Sequence, residues 1–160
     1  MRLLLASSAD GYLARGPDDD MKWTGPVDKA VFRLLTLSNG NDVLLAGSRT
    51  FDQMPKLPGR HMERLSREDK PFGKHPRLDL TVAAGCFPDA WLIGGPTVAR
   101  EALQLGLVRR AFICVSPVEL GGGMHARELE PLLPREPEFT IKVQDVRVLI
   151  YTEDQKWPGR

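Results

Sequence analysis

Apolar and polar residues fall in blocks along the chain, and the blocks change period. Leu3-Leu4-Leu5-Ala6-Ser7 is a short apolar run closing on a small polar residue, which predicts a buried strand. Asp10-Gly11 marks a turn, and residues 15–20 form a polar loop. Val27, Val31, Leu34 and Leu35 then recur at helical spacing. That helix is predicted to begin at Pro26, to be capped by Thr24 and to stop near Ser38-Asn39-Gly40. Asp42 to Gly47 reads as a second buried strand. Ser48 to Met54 reads as a short helix ended by Pro55, and Leu57-Pro58-Gly59-Arg60 as a turn. Met62 to Ser66 is a third strand, although Glu63 and Arg64 weaken its apolar pattern.

Residues 67–77 are charged and proline-containing, and predict a surface loop. Leu78 to Ala83 alternates loosely and predicts a strand. Ala90-Trp91-Leu92-Ile93 is a buried strand running straight into Gly94-Gly95, and a helix follows from Thr97 to a stop at Gly106. Arg110 to Ser116 is another strand, Gly121-Gly122-Gly123 a flexible loop and Leu129 to Pro137 a proline-rich connection. Phe139 to Thr152 predicts a late antiparallel strand or hairpin with Val146, Val148 and Ile150 on one face. Strands alternating with helices give an α/β fold, with a mostly parallel central sheet flanked by helices and antiparallel strands at the C-terminus. No repeat or linker divides residues 1–160, so one domain is expected. Ligands of such sheets bind at the carboxyl ends of the strands. Ser7, Ser8, Gly47, Gly94-Gly95 and Ser116 all stand at such ends.

Composition narrows the function classes. The 160 residues suffice for one core, and 42% hydrophobic with 27% charged is ordinary for a globular chain. A net charge of +1 argues against a dedicated nucleic-acid binder. No apolar run is long enough to span a membrane, and the N-terminal run is too short for a signal-peptide core, so a cytoplasmic location is expected. Cys86 and Cys114 lack metal or redox spacing and read as plain thiols. His61, His75 and His125 are scattered, and no metal is expected.

The candidate chemistry starts with Asp28 and Phe32, four apart and therefore on one helix face. A carboxylate with an aromatic ring one turn below suits a flat, cationic or protonatable ligand. The alternative is an acid that only complements the helix dipole. Burial should raise the Asp28 pKa and the helix start should lower it, with burial the larger effect. Gly47-Ser48-Arg49-Thr50 and Gly94-Gly95 each join a strand to a helix, an arrangement that can bind phosphate but is common in α/β proteins. Two of them suggest a dinucleotide. Neither is a Gly-x-Gly-x-x-Gly fingerprint or a Walker loop. Arg60 is either a carboxylate clamp presented from a turn or an exposed surface arginine. Asp18-Asp19-Asp20 reads as a solvated loop.

Taken together, Ser8-Ala9-Asp10-Gly11, Met21-Lys22-Trp23, Asp28, Phe32, Leu35-Thr36, Gly47-Ser48-Arg49-Thr50, Leu57-Pro58-Gly59-Arg60 and Ile93-Gly94-Gly95 resemble dihydrofolate reductase in order and spacing. The resemblance covers roughly residues 1–66 and 90–116. It implies a dihydrofolate-reductase-like fold, dihydrofolate as substrate, NADPH as cofactor and a monomer, with a homodimer as the alternative. Asp28 would be the active-site carboxylate and Trp23 would help hold an ordered water. Ala6, Phe32, Leu57, Arg60, Ile93 and Cys114 would contact substrate, Arg60 through the carboxylate of its glutamate tail. Leu13, Gly47, Arg49, Thr50, Ser66 and Arg67 would contact NADPH, as would Gly94, Gly95, Thr97 and Val98. Gly94-Gly95 is joined by a cis bond in that family. The chain departs from the pattern at Lys22, where proline is usual, and at Ser48, where a cation is usual. Cys114 stands where a threonine often supports the carboxylate. The helix often found before the diglycine strand is not evident in residues 67–90. Ser8-Ala9-Asp10-Gly11 and Pro117 to Gly123 also resemble a riboflavin-pathway pyrimidine reductase of the same fold. A nucleotide-binding relative without catalysis is the third reading.

Overall fold

In the computed structural model, which describes residues 1–38, 42–67 and 78–159, the first apolar run lies at the middle of a seven-stranded sheet. Strand β1 (Arg2–Ser7) is flanked by β5 (Trp91–Leu92) and β6 (Arg110–Val115), both parallel to it. Beyond β5 lie β3 (Val43–Gly47) and then β4 (His61–Leu65), also parallel. Beyond β6 the direction reverses through β9 (Val146–Tyr151) and β8 (Phe139–Val143), the two arms of a C-terminal hairpin. A separate two-stranded ribbon pairs β2 (Tyr12–Ala14) with β7 (Met124–His125), a contact that neither segment's pattern announces.

Because side chains alternate across a strand, each apolar run serves two cores. Leu3, Leu5, Leu45, Leu92 and Ala111 face one layer, which holds helices α3 (Leu80–Cys86) and α4 (Pro96–Gln104). Leu4, Leu44, Trp91, Cys114 and Val148 face the other, covered by helix α1 (Gly25–Leu37) through Val27, Val31, Phe32 and Leu35. Leu3, Leu44, Leu45 and Leu92 are wholly buried, each contributing about 1.5–3 kcal/mol relative to exposure. A short helix α2 (Ser48–Gln53) follows β3 directly. At the amino end of the sheet Asp42 accepts from Trp91 Nε1 (3.2 Å) and pairs with Arg2 (3.5 Å). No helix among the described residues is long and apolar enough to cross a membrane.

The structure changes several local expectations. Leu78 to Ala83 does not form a strand. Residues 80–86 are helical because Asp79 caps them, its side chain accepting from Val82 N at 2.9 Å while Leu80 and Ala83 turn inward at helical spacing. This supplies the helix ahead of the diglycine strand that the sequence did not reveal. Thr24 is not a side-chain cap. A 3₁₀ turn (Lys22–Thr24) runs straight into α1, so Thr24 already has helical backbone angles and its hydroxyl donates back to Met21 O at 3.1 Å. Leu34 does not join the buried stripe of α1; it is 73% exposed. The expected helix stop at Asn39-Gly40, most of the 67–77 loop and His75 lie outside the described residues.

Replacing the α3 cap, Asp79→Ala, is expected to destabilise the fold by about 1 kcal/mol, while Asp79→Asn costs less. Urea unfolding midpoints of the two variants measure this. Equal, negligible effects would mean the cap does not hold the helix.

Candidate active site

Strand β5 is two residues long, yet it sits between two longer strands. Ile93 N still donates to Leu45 O (2.9 Å) and Gly47 N to Gly94 O (2.8 Å), after which the chain leaves the sheet. The Gly94-Gly95 bond is cis, and Gly94 has a φ of 130°, a backbone region that side-chain-bearing residues rarely enter. Glycine is also needed at 47, where a Cβ would meet Val98 Cγ2 at 2.9 Å. The carboxyl ends of β1 and β3 therefore flank a gap, which opens into a cleft of about 1120 Å³.

The sequence-predicted site residues converge here with one exception. Ala6, Asp28, Phe32, Leu57, Ile93 and Cys114 line one end of the set, and Arg60 lines it too. Leu13, Gly47, Arg49, Thr50, Ser66 and Arg67 line the same cleft. Gly94, Gly95, Thr97 and Val98 complete it at the start of α4. Trp23 is the exception. It is buried in the wall behind the cleft and does not line it, since its indole Nε1 donates to Asp19 Oδ2 at 2.8 Å.

Asp28 is only 8% exposed. Burial pushes its carboxyl pKa up, against the Thr24 hydroxyl and the Lys29 charge, which pull it down. Cys114, buried in the same lining, has its thiol pushed up to about 12 by burial and by the Asp28 carboxylate. The thiol is thus a neutral, weakly polar neighbour for the acid. Arg60 is held from α1. Its Nη1 donates to Thr36 Oγ1 (3.1 Å), whose hydroxyl donates to Phe32 O (2.8 Å), and its Nε donates to Pro58 O (3.2 Å). Burial and then neighbouring Arg33 lower its pKa below the ordinary guanidinium value. Lys29 and Arg33 also line the cleft, so α1 brings two cations and one buried acid to it.

Two segments are organised more tightly than their composition suggests. Asp18-Asp19-Asp20 is not simply a solvated run. Asp19 accepts from Arg15 N (2.6 Å), Met21 N (2.9 Å) and Trp23, and these bonds hold its pKa down although burial works the other way. The glycine run after Leu120 is tethered. Asp10 accepts from Ser8 Oγ (2.6 Å), Leu120 N (3.0 Å) and Gly121 N (2.7 Å). The Ser8 hydroxyl, helped by those amides against a smaller burial effect, lowers Asp10 to about 2. The Ser8-x-Asp10 spacing was the available signal, because a side-chain acid two residues from a hydroxyl readily forms such a local bond.

At the α2 end the cleft offers Arg49, Arg64 and Arg67. Arg64 pairs with Asp52 (3.1 Å) and Arg67 with Glu101, whereas Arg49 has no ion-pair partner among the described residues. A guanidinium without an ion-pair partner among the described residues, and hydroxyl groups beside a glycine turn, fit a phosphate-bearing dinucleotide. Arg49, Thr50 and Ser66 are the residues that would hold its phosphates.

A mostly parallel sheet, split beside a diglycine turn and closed by an antiparallel hairpin, is the dihydrofolate-reductase-like fold. The sequence resemblance agrees with it: over 115 residues, 64% of this chain, it is 35% identical to dihydrofolate reductase from Mycobacterium leprae (strain TN), a match spanning 65% of that protein's length. The fold is also that of a putative riboflavin biosynthesis protein from Shewanella sp. PV-4, at TM-score 0.63 and 20% identity over 97% of this chain and 98% of that one. No protein-family model matches the chain.

Two outcomes follow from these environments. Asp28→Asn should stabilise the protein at neutral pH. The folded pKa lies above the ordinary 3.8, so the ionised carboxylate is disfavoured in the folded state once pH rises through that interval. The gain should vanish below that ordinary value, and urea midpoints across pH would show it; a gain that persists in acid would refute the assignment. Separately, a thiol reagent at neutral pH should modify exposed Cys86 and spare Cys114 until the protein unfolds. Equal native-state rates would contradict the burial of the Cys114 thiol.

Proposed function

We propose that this protein catalyses NADPH-dependent reduction of dihydrofolate to tetrahydrofolate by hydride transfer to pterin C6. The observation that carries this reading is the buried Asp28 carboxylate. It lies in the lining with Phe32 and Cys114, in the cleft that also contains the diglycine turn. A carboxylate in an apolar setting grips a flat amino-pyrimidine edge through charge-assisted hydrogen bonds. Its negative charge makes the bound ring more basic, which favours a proton on N5 supplied by water. Phe32 and Leu57 give the ring apolar faces, and Ile93 narrows the floor. Arg60, held by Thr36, would pair with a carboxylate tail. Bound NADPH would supply the hydride. The cleft's share of catalysis is positioning two flat rings in contact, which can be worth about 7–11 kcal/mol.

A second reading is supported by a different observation. Asp10 binds Ser8-Ala9-Asp10-Gly11 to Leu120 and Gly121, joining the two segments that resemble a riboflavin-pathway pyrimidine reductase. Lys29, Arg33 and Arg60 are then suited to a sugar phosphate in place of a glutamate tail. Steady-state assays with dihydrofolate and with the ribosylamino-pyrimidine phosphate separate the two. Turnover of the second substrate alone would overturn the folate reading. NADPH binding with turnover of neither would favour a non-catalytic relative.

Asp28→Asn is expected to lower the hydride-transfer rate roughly a hundredfold or more, with NADPH affinity nearly unchanged. Single-turnover kinetics and cofactor titration measure the two quantities, and parallel loss of both would make Asp28 a structural residue.

A further inference from the structure

The two edges of the main sheet are built differently. The β4 edge is guarded by charge, with His61 against Glu63 (2.5 Å) and Arg64 against Asp52. Charged side chains of this kind discourage strand addition. The β8 edge carries Lys142 as its single charge. All five of its residues are exposed, and Phe139, Ile141 and Val143 are 54%, 50% and 37% exposed. They are opposite Ile150, Val148 and Val146, so they continue the apolar sheet face that α1 covers further in. The sheet's buried face thus runs on past its cover to an open strand.

The chemistry of this strand is complementary to itself. In an antiparallel pair centred on Thr140, Glu138 of each copy stands opposite Lys142 of the other. Phe139 stands opposite Ile141, and Thr140 opposite its own equivalent. Each of these is a favourable cross-strand pairing, and the first two occur twice by symmetry. Lys142 has no ion-pair partner among the described residues, and Glu138 accepts only the Thr152 hydroxyl among the bonds seen for its side chain. The lysine that would otherwise deter edge pairing becomes one of its contacts.

We propose that a second copy of this chain docks on β8, the two β8 strands running antiparallel about a twofold axis at Thr140 and joining both sheets into one. This rests on the edge strand alone and is independent of the reading of the cleft. Sedimentation velocity of the full chain over a concentration series tests it, with circular dichroism to confirm that each variant is folded. The wild type should show a concentration-dependent monomer–dimer equilibrium. Glu138→Lys and Lys142→Glu should each weaken dimerisation roughly tenfold or more, because each sets like charges opposite one another twice. The double variant, with the charges exchanged, should return to the wild-type constant. A monomer at every concentration, single variants without effect, or a double variant that stays weakened would each overturn the proposal.

Discussion

The early end of β5 is the constraint from which the rest follows. A parallel sheet with a two-residue strand between β1 and β3 cannot stay closed, because the β1 side has no ladder partner on β5 beyond Leu92 and the β3 side keeps only the bonds to Ile93 and Gly94. The chain meets this by spending its last bonds on Leu45 and Gly47 and then turning away through two glycines into α4. What remains is a slot with backbone on two sides, apolar side chains below and helix starts above. Unpaired backbone is expensive in a protein interior, so such a slot persists only where its rim is either bonded or reachable by water and ligand.

Around that slot the same residue type is tuned in opposite directions. Asp10 meets a hydroxyl and two amides and becomes a strong acid, while Asp28 meets apolar wall and becomes a weak one. The difference is local supply of donors, not distance from the surface alone. Asp10 and Asp19 are used for construction, Asp19 gathering backbone N–H groups from its own loop and Asp10 those of Leu120 and Gly121. Asp28 is left with little beyond Thr24 and Lys29 to stabilise its charge. A group held in that condition costs stability and is a candidate for chemistry for the same reason.

Much of this was readable from residues. The strand ends that carry Ala6, Gly47 and Gly94, and the Asp28–Phe32 spacing, are short-range patterns, and short-range patterns place side chains within one element. The misread parts depend on information outside the local period. Leu80 to Ala84 is rich enough in Thr, Val and Ala to pass for a strand, and only the bond from Val82 N to Asp79 decides otherwise. The β2–β7 ribbon joins segments more than a hundred positions apart, and neither is long enough to declare itself. Leu34 was placed inward by its spacing, but the sheet offers α1 a face narrower than the apolar stripe.

The position of β1 has a further consequence for how the molecule comes into being. It precedes both of its neighbours, residues 91–92 and 110–115, so the sheet's centre stays without partners until those later segments have been made. Helix α1 and the β3–α2 segment, made earlier, can order locally but have no central strand pair to settle on. Assembly of this architecture is therefore a long-range event, with apolar β1 unpaired until β5 and β6 are present. That is a demand on chaperoning and not on sequence composition.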